Sequence, residues 1–328
     1  MLVNNIAICQ KYLRIANNVS FDQLSQFMNE FELNQIQDIF GAAFYNAINA
    51  RYNNGAPSPA LTTHEAAVIT LLQGAIVRLA FVKAIPTLIS SFQGTGFYQA
   101  GASSGTQKQL YEWQKLDIEN AYLEDGWKNI GSAQSYLFAN RATAEFATWK
   151  DSSAEKKSRA LFITSARHFS EYIEIGRSHR TYEALKTTIK EVEKLRIKPI
   201  LGETLFASIK ASLLVAEPTG KNVIALDYIN HAVANLAFAS ALEKLEFKID
   251  EEGARVISIS ATSAGKAKVK TPGEEERKAK TMAACKQAAF EFLSDLINYL
   301  NANAPDFAGY VVPVNEALSN EETNTVFL

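Results

Sequence analysis

Four histidines, His64, His168, His179 and His231, are the side chains best suited to move a proton or hold a metal ion, and none of them falls into H-x-x-x-H or H-E-x-x-H spacing. Each reads as a surface or helix-capping residue. Carboxylates gather at Asp117, Glu119, Glu124 and Asp125 and again at Glu274, Glu275 and Glu276. Residues two apart on a helix diverge, so Asp117 and Glu119 do not form a general acid/base pair. The second cluster sits at an expected helix start, where acidic side chains meet the positive end of the helix dipole. Gly94-Thr-Gly96, with Gly101 and Gly105 beyond it, lacks the G-K-[ST] ending of a phosphate loop, and Ser260 stands where a loop ending at Gly265-Lys266 needs its first glycine. Gly101-Ala-Ser-Ser-Gly105 has the spacing Gly-x-Ser-x-Gly, but this loop does not run directly from a strand into a helix as a nucleophile elbow does. The residue types therefore point away from an enzyme, with no catalytic residue, cofactor or metal expected.

Lys266, Lys268 and Lys270 alternate with small residues and are placed to touch phosphates of a nucleic acid passing nearby, without sequence specificity; the simpler reading is a solvated arm. The whole chain has no basic footprint, with 33 Lys+Arg against 35 Asp+Glu and a net charge of -2. With 328 residues, 47% of them hydrophobic and 21% charged, it is long and apolar enough for two ordinary domains or one large one. Cys9 and Cys285 are too few for a disulfide framework and read as core residues. The N-terminal stretch lacks a basic leader and a small-residue cleavage site. No run approaches the roughly 18 consecutive apolar residues of a membrane span. The expectation is a soluble protein made in the cytoplasm, with no membrane partner.

An internal duplication organises these residues. Tyr12-Leu-Arg-Ile is echoed by Tyr172-Ile-Glu-Ile, and Phe21-Asp-Gln-Leu by Tyr182-Glu-Ala-Leu. Ile36-Gln-Asp-Ile-Phe-Gly41, followed by Phe44, Tyr45 and Ile48, matches Ile197-Lys-Pro-Ile-Leu-Gly202, followed by Leu205, Phe206 and Ile209. Ala75 to Phe81 matches Ala232 to Phe238, and Tyr136-Leu-Phe-Ala-Asn matches Tyr299-Leu-Asn-Ala-Asn. By subtraction the offsets are 160, 161, 157 and 163, in one order along the chain. Shared Leu/Ala periodicity explains one such block but not the ordered set. Two copies of one domain follow, residues 1–150 and 151–328, joined at the polar run Lys150 to Ser158.

Each copy reads as mainly helical. Phe21, Leu24, Phe27, Met28 and Phe31 recur at helical spacing behind Ser20, an N-cap. Gly41 and Gly202 suit tight turns between helices. Val68 to Val82 and Ile224 to Ala237 carry apolar stripes broad enough to be buried on more than one side. The segments 88–98 and 245–259 alternate around glycine and read as β-hairpins. Long helices from Lys108 to about Asn140 and from Glu274 to about Asn303 close the copies. The fold class expected is mainly α, a tandem duplication in which each copy projects a β-hairpin. An isolated two-stranded hairpin is marginal, so a projecting one must pack on something, such as a neighbouring subunit.

Charge is uneven. Residues 1–150 carry 10 Lys+Arg and 11 Asp+Glu, whereas 151–328 carry 23 and 24. Interface cores are poor in charge and rich in aromatics, which nominates Phe92, Phe97, Tyr98, Tyr111 and Trp113 in the first copy as subunit contacts. Phe247, Val256 and Ile257 on the second hairpin and Tyr310, Val311 and Val312 in the apolar C-terminal tail are the matching candidates. The tail reaches either a partner or its own domain.

Tyr12-Leu-Arg-Ile, Ser20-Phe-Asp-Gln-Leu, Ile36 to Gly41 and the closer version Leu195-Arg-Ile-Lys-Pro-Ile-Leu-Gly-Glu-Thr-Leu-Phe206 resemble an uncharacterised virion-associated family encoded in phages and prophages of Bacteroidetes. The resemblance covers about the first fifty residues of each copy. In layout that family is similar to the helical head-to-tail connector, or adaptor, proteins that form a ring beneath the portal of tailed phages. It implies a structural subunit in the neck of a virion, with copies of itself, portal and tail or neck proteins as partners. The first copy departs from the pattern at Gln37-Asp-Ile-Phe, where the second has Lys198-Pro-Ile-Leu. A tail terminator or cap of a contractile injection machine, or a non-virion cytoplasmic helical module that binds proteins or peptides, are the alternative readings.

Overall fold

The computed structural model describes residues 1–13, 20–53, 60–91, 98–100, 107–109, 112–215, 219–244, 247–250, 253–256 and 272–312. The chain is mainly helical, and its elements come in the same order twice. In the first copy α1 (Ile6–Tyr12) is followed by α2 (Phe21–Phe31), a π-helical turn at Glu32–Ile36, α3 (Gln37–Phe40), α4 (Ala42–Asn53), α5 (Thr63–Ser91) and α6 (Glu112–Ala139). A 3-10 turn at Ala144–Phe146 and α7 (Ser153–Ser158) end it. The second copy runs through α8 (Ala166–Ser170), α9 (His179–Val192), a π turn at Glu193–Ile197, α10 (Lys198–Val215), α11 (Lys221–Lys244), α12 (Pro272–Ala302) and a 3-10 turn at Ala304–Asp306.

Local sequence explains the boundaries. Ser20 and Gln23 form a reciprocal capping box at the start of α2. Gly41 (φ 88°, ψ 133°) separates α3 from α4, and Gly202 (φ 76°, ψ 163°) breaks α10 at the corresponding point. Only glycine holds such a backbone without strain. Between α5 and α6, Tyr98–Ala100 pairs antiparallel with Gln107–Gln109, and between α11 and α12, Phe247–Asp250 pairs with Gly253–Val256. The helix that closes the first copy therefore starts at Glu112, not Lys108, because Gln107–Gln109 is committed to strand pairing.

Copies and compact units do not share boundaries. One unit comprises Met1–Ala160, Thr164–Lys186 and Lys244–Thr271, and the other Leu161–Ile163, Thr187–Glu243 and Pro272–Leu328. In the first, α5 packs between α2 and α6, and its Val68, Leu72, Ala75, Ile76 and Ala80 are fully buried. Residues Thr63–Pro86 of α5 are long and apolar enough to cross a membrane by length and composition, with mean hydropathy 1.8, and 72% of that window is buried inside the protein. Counting consecutive apolar residues missed this helix because Gln73, Gly74, Arg78 and Lys83 interrupt the run without lowering its average enough. In the second unit α11 takes the same central role, burying Ile229, Val233, Ala237, Ala241 and Leu242.

The last turn of each closing helix is tied in the same way. Tyr136 bonds the His64 Nδ1 at 2.8 Å, and the Tyr299 hydroxyl donates to the Lys221 carbonyl at 3.4 Å, both at the N-terminus of the central helix. The Asn140 and Asn303 amides each donate to the carbonyl of that tyrosine at 2.9 Å. Phe146 meets the Tyr136 ring edge-on at 6.4 Å, as Phe307 meets Tyr299 at 6.0 Å.

Candidate functional site

The polar run expected as a seam between copies is ordered structure. Ser152 caps α7, and the buried Glu155 accepts from the Asp151 backbone N–H at 2.5 Å and from the Arg141 guanidinium. Burial pushes the Glu155 carboxyl up, but these donors outweigh it and hold it below its ordinary value. Ala154 then lies against Gly41, its Cβ 3.3 Å from where a Cβ on that glycine would stand, and Lys157 pairs with Asp38 at 3.2 Å.

Beyond α7 the chain builds a contact between the copies. Ser165 caps α8 and Phe169 buries completely. Gly176 and Arg177 both take positive φ, 64° and 51°, and the Ser178 hydroxyl accepts from Thr181 N at 3.1 Å to start α9. The first two turns of α9 lie on α6. The His179 ring sits 6.0 Å from the Trp127 ring, over Gly131, where a Cβ would come within 2.8 Å of its Nδ1. Arg180 donates to the Asn120 side-chain oxygen at 3.4 Å. Tyr182 is fully buried, and Glu183 lies between His179 Nε2 at 3.2 Å and Lys186 Nζ at 2.6 Å. Burial opposes ionisation of Glu183, and the close approach of His179 together with the Lys186 charge outweighs it, so its pKa is lowered. His179, expected at the surface or as a cap, is 5% exposed. Gly131 provides the room, and no local pattern around His179 announces it.

A second feature occurs once per copy. Each π turn begins with a buried glutamate that ties down an upstream backbone N–H of its copy. Glu32 accepts the Leu2 N–H at 3.0 Å and the Tyr45 hydroxyl. Glu193 accepts the Phe162 N–H at 2.5 Å and pairs with Lys210 at 2.7 Å. Burial raises both carboxyls, and burial lowers Lys210. The Lys210 ammonium also stands 3.7 Å from the centre of the Phe162 ring, a cation–π contact. Within each turn stands an exposed leucine, Leu33 at 62% and Leu195 at 65%. π turns often mark functional sites. Here each anchors an incoming segment of chain. The identical residue at a spacing of 161 was the sequence signal for this pair.

Few of the expected contact residues can be placed with their side chains. Phe92, Phe97, Tyr111 and Ile257, and the basic Lys266, Lys268 and Lys270, lie outside the described residues, as do the glycine loops. Tyr98, Phe247 and Val256 fall in the short strands and Trp113 in α6, described for backbone alone. Tyr310 is half-buried and donates to the Asn301 side-chain oxygen at 2.8 Å, while Val311 and Val312 are 80% and 44% exposed. Cys9 is buried, its thiol pushed up to about 11 by desolvation, and Cys285 is half-buried; both are free thiols. Among the described residues no three metal-ligating side chains converge.

A family model described as a family of unknown function, DUF6712, matches the chain twice, over residues 36–159 and 197–317. The chain belongs to the DUF6712 family. The two DUF6712 matches start at Ile36 and Ile197, the last residues of the two π turns, so family and structure give the same repeat. The first match includes α7, which makes that helix part of the DUF6712 unit and not a linker. No curated protein and no solved structure matches the chain.

Proposed function

We propose that this DUF6712 protein is a non-enzymatic structural subunit of a tailed-phage particle, assembling into a ring at the head-to-tail connector beneath the portal. The observation that carries the proposal is the contact of α9 on α6. It joins non-equivalent surfaces of two successive copies within one chain, and a heterologous contact repeated between chains closes into a ring when its rotation allows. The second copy offers the same platform on α12. At an offset of 163, Asn120, Trp127 and Gly131 become Ala283, Phe290 and Ser294. Ala283 and Ser294 are exposed. The incoming element would be the start of α2 from the next subunit, where Phe21 is the counterpart of Tyr182. The segments between the central and closing helices act as projecting hairpins that reach neighbours, and the charge-poor first copy supplies the larger contacts.

Native mass spectrometry and electron microscopy of purified protein test the assembly, with a cyclic oligomer burying more than about 1,000 Å² per contact expected. Ser294→Trp, on the exposed side of α12, should break that oligomer while the helical signal persists. A monomer at all accessible concentrations removes the ring. Mass spectrometry of purified virions tests the location separately, with the chain expected in stoichiometric amount. Its absence from particles that carry the gene would leave a cytoplasmic protein-binding module as the better reading.

A further inference from the structure

The helices through the two π turns carry opposite charge at equivalent positions. Residues 29–38 hold Glu30, Glu32 and Asp38 with no basic side chain, whereas residues 190–199, at a constant offset of 161, hold Lys190, Lys194, Arg196 and Lys198 against Glu191 and Glu193. Ile189, Val192, Glu193 and Ile197 are buried on one side of the second helix, which leaves Lys190, Lys194, Leu195 and Pro199 exposed and Lys198 partly exposed on the other. Four residues slightly exceed an α-helical turn of about 3.6 and fall short of a π turn, whose hydrogen bonds reach five residues along. The lysines at 190, 194 and 198 therefore stay in one column across Glu193–Ile197. Their counterparts Asn29, Leu33 and Gln37 form an uncharged column, flanked by the exposed Glu30 and Asp38. Each face has an apolar centre in its exposed leucine, Leu33 or Leu195.

We infer that the lysine face at Glu193–Ile197 of one chain binds the acidic face at Glu32–Ile36 of a second chain, with Leu195 against Leu33 inside a charged rim. An apolar centre within a polar rim is the usual build of a specific contact, and opposite charges at matching spacing fix its register. Glu30 and Asp38 are eight residues apart, as are Lys190 and Lys198, so both ends of the rim pair at once. Their partners within the chain are weak competitors. Glu30 lies 3.8 Å from Lys83, Asp38 3.2 Å from Lys157 and Lys198 2.6 Å from Glu203, with every member at least about a third exposed, and exposed pairs of this kind contribute little. The lysine column repels its own copy on another chain, so only unlike faces meet. Ten residues a side is small beside the roughly 800 Å² per partner of a standard interface, which makes the pairing weak and salt-sensitive. This contact is separate from the one on α12 and goes beyond the ring.

The test uses the full chain with the α12 contact blocked by Ser294→Trp, or by Ala283→Arg if the first chain loses its helical signal. In that parent one variant reverses the second face, with Lys190→Glu, Lys194→Glu and Lys198→Glu, and another reverses the first, with Glu30→Lys and Asp38→Lys. Each variant then carries two faces of one sign, and sedimentation should show its self-association weakened by about tenfold or more, while an equal mixture of the two associates again. Association of either variant at the strength of the parent, or a mixture that stays dissociated with both helical signals intact, overturns the pairing. So does a parent that remains monomeric at every accessible concentration, or one whose association is the same at about 50 and 500 mM salt. A single-stranded oligonucleotide that the parent binds and the lysine variant does not, with self-association unchanged, gives the column to nucleic-acid phosphates and overturns the pairing as well. Absence of a ring in the wild-type protein leaves each of these readouts in place.

Discussion

The two copies repeat one order of helices and turns with different side-chain chemistry. Glu32 and Glu193 open equivalent π turns and receive the N–H of Leu2 and Phe162, yet one is completed by a tyrosine hydroxyl and the other by a lysine ammonium. These donors come from different places on the following helix: Tyr45 has Phe206 as counterpart, and Lys210 has Asn49. The edge-on contact of Trp149 with Phe138 likewise becomes the hydrogen bond of Tyr310 to Asn301. What stays fixed is what sets the path: the glycine with positive φ, the buried glutamate and the tyrosine at the last turn. What varies is the partner, because a buried carboxylate requires a donor but not a particular one.

That difference predicts unequal losses from the same substitution. Glu193→Ala leaves a largely buried Lys210 without its carboxylate and should destabilise by about 3–5 kcal/mol. Glu32→Ala leaves a hydroxyl and an amide, both neutral, and should lose about 1–3 kcal/mol. Urea unfolding of both variants reads the gap. Equal losses would mean that the charge on Lys210 is solvated, and the contrast between the copies would disappear.

The glycines sharpen the comparison at a smaller scale. Gly41→Ala and Gly202→Ala each place a side chain at positive φ, a strain of about 1–3 kcal/mol. Only the first also pushes against a described neighbour, Ala154, so it should be the worse of the two and should expose α7 to proteolysis. Greater damage from Gly202→Ala would show a tight contact at that position.

Much of this arrangement was readable from sequence because it rests on local rules repeated twice. The spacing of 161 between Ile36 and Ile197 coincides with the starts of the two family matches, Gly41 and Gly202 are breaks, and Ser20 caps α2. The π turns left a single trace in the sequence, the identical glutamate at a spacing of 161. A glutamate on an amphipathic helix resembles any solvated residue until a distant segment, Leu2 or Phe162, brings an N–H to it. His179 escaped for the same reason, since Gly131 on α6 makes its space. Lys150 to Ser158 read as a linker because its surface is polar, while its attachment depends on one alanine, Ala154, and one buried carboxylate, Glu155.

The smallest expected effect concerns the tyrosines at the ends of α6 and α12. Tyr136 reaches His64 at 2.8 Å in a part-buried setting, whereas Tyr299 reaches the Lys221 carbonyl at 3.4 Å in an exposed one. Water replaces the second hydroxyl at little loss, but the first has a defined partner beside the Phe146 ring, 6.2 Å from His64. Tyr136→Phe should therefore lower stability by about 1 kcal/mol and Tyr299→Phe by less than about 0.5 kcal/mol. Both phenylalanines keep the edge-on packing with Phe146 and Phe307, so the hydroxyl alone is tested. Thermal unfolding of the two variants under one condition decides it. A Tyr299→Phe loss as large as that of Tyr136→Phe would show that the second copy's bond is shielded from water.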